Sequence, residues 1–185
     1  VHIPQWGIHV QTPNIPSEEA RVTAAVQVAG LKVGESVKIK ANILDPSGKM
    51  VAQVVRDYKR FTASDSTYHL DTKVFNPRLW DIQKPNLYKL AIEVEKDGKT
   101  VDSDEVTFGI RSIKLVQGEG FYLNGHKVKF QGVCMHHDQG PLGAIVNEAS
   151  YRRQIKIMQD MGVNAIRTSH NMPAPEFVKL CDEMG

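Results

Sequence analysis

Seven short segments in the first 110 residues show period-two alternation of apolar and polar side chains, and a period of two leaves few folds open. They are 7–12 (GIHVQT), 20–28 (ARVTAAVQV), 36–44 (SVKIKANIL), 50–58 (MVAQVVRDY), 67–74 (TYHLDTKV), 87–95 (LYKLAIEVE) and 100–110 (TVDSDEVTFGI). Val, Ile, Thr and Tyr recur in them, side chains that suit a pleated surface with one buried face. DPSG (45–48) and EKDGK (95–99) carry the glycine that tight hairpin turns need. Seven strands in so short a stretch fit two antiparallel sheets packed face to face, an immunoglobulin-like sandwich over residues 1–110. Neither cysteine (Cys134, Cys181) lies in this half, so the apolar core must hold the sheets together without a disulfide. Trp80, in the proline-bordered connection NPRLWDIQKPNLY, reads as a packing residue under a loop rather than a ligand platform.

From residue 111 the rhythm changes. Asn124-Gly125, in GFYLNGHKVKFQGV (120–133), is a two-residue hairpin signal, and KVKFQGVCM (127–135) reads as a strand. A polar loop, HHDQGPLG (136–143), leads to a helix from about Asn147 to Met161, with Asn147 as N-cap and Glu148 in the first turn. Tyr151, Ile155 and Met158 share one helix face, and Gly162 supplies the left-handed stop. VNAI (163–166) is then a short buried-type strand. After a second polar loop, RTSHNMPAP (167–175), a second helix runs from Pro175 to Met184 with Phe177, Leu180, Cys181 and Met184 on one face. Strand, polar loop, helix, twice over, is the unit that builds parallel sheets and β/α barrels. The expected architecture is an all-β sandwich followed, over 111–185, by an incomplete α/β barrel segment.

The bulk properties exclude some partners. Lys and Arg number 23 against 21 Asp and Glu, a formal charge of +2 that gives no electrostatic case for nucleic acid. No stretch approaches the ~20 apolar residues of a membrane span. The N-terminal stretch lacks the basic start and apolar run of a signal peptide. The cysteines fit no metal or redox spacing, and free thiols of this kind are commonly buried.

In β/α barrels the chemistry gathers in the loops after the strands' C-terminal ends. Here those loops are the most polar and histidine-rich part of the second half, which makes His136, Arg167 and His170 the candidate site residues. Adjacent His136 and His137 point to opposite faces of an extended chain, so at most one readily serves a site. A zinc site from His136, Asp138 and His170 lacks any compact ligand spacing. Arg167 leaves an apolar strand and calls for a carboxylate, yet no acidic residue stands near it in sequence. There is no GxSxG, phosphate loop or HExxH, and no carboxylate pair stands out as an acid/base couple. The site reads as half built.

KVKFQGVCMHHDQGPLGAIVN and MGVNAIRTSHNMPAPEFVKLCDEMG together resemble glycoside hydrolase family 2, within it the bacterial β-galactosidases. NPRLWDIQKPNLYKL and VTFGIRSI resemble the immunoglobulin-like domain that precedes the family's catalytic barrel, so the likeness spans the whole chain. It implies a larger enzyme that hydrolyses terminal β-galactosides with retention. Two glutamates about 5 Å apart, acid/base and nucleophile, would lie on later barrel strands beyond Gly185. His136 matches a histidine that contacts the sugar, and His170 one that hydrogen-bonds the galactosyl unit and favours the transition state. Arg167 matches an arginine that orients the nucleophilic carboxylate. The run His137-Asp138-Gln139-Gly140 departs from the family's more histidine- and glutamate-rich pattern, and the resemblance assigns no metal and no cofactor here.

The expectation is therefore a fragment, inactive by itself, whose parent takes a β-galactoside or related carbohydrate. Two alternatives stand beside it: a non-catalytic carbohydrate-binding or interaction module, or a β-glucuronidase or β-mannosidase parent. Self-association through exposed strand edges is expected of the isolated second half.

Overall fold

The structure is a computed structural model and describes residues 1–15 and 18–185. It divides into two compact units, Val1–Arg78 with Leu87–Ser112, and Leu79–Asn86 with Ile113–Gly185. The first contains β1 (Ile8–Asn14), β2 (Glu19–Gln27), β3 (Ser36–Leu44), β4 (Met50–Lys59) and β5 (Thr67–Phe75). A small hairpin follows, β6 (Trp80–Asp81) with β7 (Lys84–Pro85), grouped with the second unit. The chain then returns for β8 (Leu87–Lys96) and β9 (Lys99–Gly109). These strands form two antiparallel sheets, β1-β2-β5 and β4-β3-β8-β9.

The expected alternation is regular in β2, β3 and β8, whereas β4 and β9, at the two edges of their sheet, bury no residue fully. Ala20, Val22, Ala24 and Val26 of β2, and Val37, Ile39, Ala41 and Ile43 of β3, are buried while their neighbours are less so. A small gap lined by Val22, Ala24 and Leu70 from one sheet, and by Ala41, Ile43, Val54 and Leu90 from the other, marks where the two inner faces meet. Asp97 and Gly98 both adopt positive φ, 51° and 74°, the two-residue turn whose twist matches the strands it joins.

The second unit opens with a meander of β10 (Ile113–Val116), β11 (Gly120–Leu123) and β12 (His126–Val128). Asn124 and Gly125, at φ 51° and 81°, make the expected hairpin; β10 was not legible beforehand. Then come β13 (Gly132–Met135), α1 (Glu148–Asp160), β14 (Ala165–Thr168) and α2 (Pro175–Met184). β13 and β14 pair in parallel, as two successive β/α units require. The run 127–135 is two strands rather than one, because backbone groups of Lys129 and Gln131 bond to Asn164 instead of continuing the hairpin ladder.

The helices fold as their sequences dictate. Asn147 Oδ1 accepts the Ser150 N–H at 2.9 Å, satisfying one of the N-terminal donors that a helix leaves open. Tyr151 and Ile155 of α1 meet Phe177 and Leu180 of α2, with Met135 and Ile166 of the strands beneath them. The Tyr151 and Phe177 rings stand 5.3 Å apart at 62°. Trp80 is buried, as its packing role requires, and its Nε1–H donates to the Asp182 carbonyl at 2.7 Å.

Ile39 has no exposed surface and lies in a central strand of the four-stranded sheet. Ile39→Ala is expected to lower unfolding free energy by about 2–5 kcal/mol through lost burial and a residual cavity, read from the denaturant midpoint of the sandwich.

Candidate active site

Side-chain alternation on β13 and β14 decides what faces where. The parallel register pairs Gly132 with Ala165, Val133 with Ile166, Cys134 with Arg167 and Met135 with Thr168. Met135 and Ile166 pack under the helices. Gly132, Cys134, Ala165 and Arg167 therefore share the opposite face, where Cys134 and Arg167 are exposed. The strands end at the two polar loops, so His136 and His170 emerge side by side.

The three residues singled out in the sequence come together. The His136 and His170 rings lie 5.9 Å apart, nearly perpendicular at 81°. Arg167 Nη2 stands 3.1 Å from His170 Nδ1, and Nη1 donates to Ser169 Oγ at 3.1 Å. A guanidinium can only donate, so Nδ1 must accept, and the ring proton of His170 sits on Nε2. The Ser169–His170 peptide is cis. No carboxylate among the described residues pairs with Arg167; Cys134 Sγ, at 3.9 Å, is its other neighbour. Of the adjacent histidines, His136 is exposed beside His170 whereas His137 is half-buried; both border a shallow cleft with Tyr151, Pro173 and Phe177.

Several contributors escaped the sequence reading. Ser169 is buried, accepts from Arg167 and donates its N–H to the Met135 carbonyl at 2.9 Å, tying one strand end to the other. Gln139 is also buried, and its Nε2 donates to the Ile145 carbonyl at 2.6 Å across the first loop. Gln154 of α1 reaches the Asp138 carbonyl at 3.2 Å from outside that loop. A glutamine in a loop gives no signal of this. The serine could have been suspected from its place between two candidate residues. Among the described residues, no group of three or more His, Cys, Asp or Glu could hold a metal ion, and no helix is long and apolar enough to cross a membrane.

Chemically the cluster offers hydrogen-bond donors and one fixed positive charge, a surface suited to holding hydroxyls and carboxylates. It contains no acid/base pair of carboxylates. Residues of these types, at the strand ends of a β/α repeat, stand where barrel enzymes carry their chemistry.

Comparison with known proteins agrees. Residues 1–111 match the family described as glycosyl hydrolases family 2, and residues 114–185 match that family's TIM barrel domain. The chain belongs to glycoside hydrolase family 2. It is 36% identical over its whole length to the beta-galactosidase BoGH2A of Bacteroides ovatus, covering 22% of that protein. A beta-glucuronidase of Bacteroides fragilis is 28% identical over 97% of the chain, which covers 26% of it. The crystal structure of a family 2 member from Bacteroides cellulosilyticus superposes over the whole chain with a TM-score of 0.94 at 32% identity, the chain covering 24% of it. The chain thus spans about a quarter of the length of these relatives.

The two thiols should report the two faces of the β13–β14 layer. Cys134 is exposed beside Arg167, while burial pushes the Cys181 thiol up to about 11. At pH 8 an alkylating reagent should modify Cys134 and leave Cys181 largely unreacted, as peptide mass mapping would show; the reverse order would contradict this placement.

Proposed function

We propose that this chain supplies the immunoglobulin-like domain (1–110) and the first two β/α units of the barrel (111–185) of a retaining exo-β-galactosidase. The observation that carries the reading is the convergence of His136, Arg167 and His170 at two successive strand ends. The 36% identity to a beta-galactosidase over the full chain supports the sugar.

In this reading His170 donates from Nε2–H to a galactosyl oxygen. Because Arg167 holds Nδ1, the ring cannot turn that donor away without losing a hydrogen bond. The bond matters most where charge develops on the sugar, which is how a positioned donor lowers the barrier. His136 lines the sugar from the neighbouring strand. Arg167 holds a catalytic carboxylate contributed by another barrel strand, which accounts for a guanidinium that meets no acid among the described residues. The covalent step belongs to two carboxylates outside this cluster.

A β-glucuronidase parent is the second reading, favoured by the similarity to the Bacteroides fragilis enzyme. Kinetics separate the two. A protein extending this chain through the remaining barrel strands should hydrolyse a p-nitrophenyl β-galactoside in preference to the β-glucuronide. In that protein His170→Ala should lower kcat/KM by about 10²–10³, the loss typical of one transition-state donor. A preference for the glucuronide would overturn the galactoside reading. The 185-residue chain by itself should show no turnover of either substrate above a buffer blank, and measurable turnover would place the acids within it.

Alone, the chain is expected to bury its open parallel edges by self-association. Among the described residues the sheet of β13 and β14 has two strands, each with one unpaired edge, and such edges readily add a strand. Light scattering should give a mass that rises with concentration; a strict monomer would contradict the expectation.

A further inference from the structure

The ladder between β13 and β14 covers four residues on each strand. Its open face carries Gly132, Cys134, Ala165 and Arg167, where the side-chain contact between the strands is the long one of Arg167 Nη1 with Cys134 Sγ at 3.9 Å. So short a ladder leaves register weakly specified from that side, and a slip of one residue sends every side chain of the moving strand to the other face. Arg167 would then turn under the helices and Ile166 toward the open side. Burial of Met135 and Ile166 opposes such a slip from the helix side; on the open side, the alignment that brings His136 and His170 together calls for a further key outside the ladder.

Asn164, the residue before β14, has the geometry of such a key. Its Oδ1 accepts the Gln131 N–H at 2.8 Å, and its Nδ2 donates to the Lys129 carbonyl at 3.0 Å. Its own N–H donates to the Gln131 carbonyl at 3.0 Å. One side-chain amide thus bridges a donor and an acceptor two residues apart on the partner segment. An amide presents its acceptor and donors at a fixed spacing, so displacing the strand by one residue sets donor against donor and acceptor against acceptor. Gly132 and Ala165 reinforce the alignment at the next position. A Cβ on Gly132 would stand 3.3 Å from the Ala165 oxygen, a close approach that a larger residue would disturb.

We propose that Asn164 is a positioning residue for the candidate site: its side-chain amide sets the β13–β14 register and thereby the juxtaposition of His136, Arg167 and His170. The proposal rests on reading that cluster as the sugar-facing rim. Its geometry can nevertheless be tested apart from any sugar chemistry, because register is read from proton–proton contacts in the 185-residue chain.

The test compares nuclear Overhauser contacts in the wild-type chain, Asn164→Ala and Asn164→Asp. The wild type should show a contact between the His136 and His170 rings, with the Tyr151–Phe177 contact reporting the helix core and Tyr58–Tyr68 reporting the sandwich. In Asn164→Ala the histidine contact should be lost while both aromatic controls persist. Asn164→Asp keeps an acceptor for the Gln131 amide but loses the donor to Lys129, so the histidine contact should return, weakened. Retention of an unchanged histidine contact in Asn164→Ala would overturn the proposal. If that variant loses the Tyr151–Phe177 contact as well, Asn164→Asp decides. A weakened histidine contact beside an intact Tyr151–Phe177 contact supports the register role; loss of both, or of neither, makes Asn164 a general stability residue and overturns it. Substrate turnover tests the sugar reading independently of either result.

Discussion

Everything in the second unit depends on how β13 lies against β14. Parallel strands cannot be joined by a tight turn, so a crossover must carry the chain back, and here α1 provides it. Once the strands are in register, alternation divides them into two surfaces with different fates. Val133, Met135 and Ile166 turn to the helix side, and Met135 and Ile166 are covered there; Cys134 and Arg167 turn to the open side. The site is therefore a consequence of packing. The apolar half of each strand fixes the layer, and the polar half is left free to meet a ligand.

The helix side explains why the open side can be so polar. Tyr151, Ile155, Phe177 and Leu180 are almost fully buried, and each such side chain contributes about 1.5–3 kcal/mol relative to exposure. Hydrogen bonds then place the loops. Ser169 ties the end of β14 to Met135, Gln154 ties Asp138 to α1, and Gln139 closes the first loop on itself. Two imidazoles and a guanidinium are held on backbone that is anchored on its far side. Positioned donors of this kind need no rearrangement when charge appears on a bound molecule, which is where a fixed site gains over water. The cluster can hold and polarise; in the proposed reading, covalent work belongs to carboxylates supplied from elsewhere in a complete barrel.

Much of this was legible in the residues because local chemistry and tertiary structure agree. The seven sandwich strands announced themselves through their alternation and β-branched residues, and in β2 and β3 that alternation matches burial residue by residue. Asn147, Gly162 and Pro175 marked the helix boundaries because each meets a specific backbone need. β10 was missed because Ile113 and Leu115 are exposed and the strand has only four residues. The break after β12 was missed for another reason: the backbone groups of Lys129 and Gln131 are satisfied by a side chain some 33 to 35 residues away. The grouping of residues 79–86 with the second unit is likewise a long-range fact, resting on contacts such as Trp80 with Asp182, 102 residues on. In the site, the residue types and their places at the strand ends were legible. Distances, the tautomer of His170 and the roles of Ser169 and Gln139 were not, since they follow from a register that no local pattern encodes.

The central claim is that these strand ends form the binding face of a retaining glycosidase. The most direct test is the anomeric configuration of the first-formed sugar, followed by proton NMR during hydrolysis of a β-galactoside by a protein that completes this barrel. Two displacements at one carbon return the starting configuration, so β-galactose should appear first and the α-anomer only later, as the sugar mutarotates. Initial release of the α-anomer would mean a single displacement with carboxylates set farther apart, and would contradict the account.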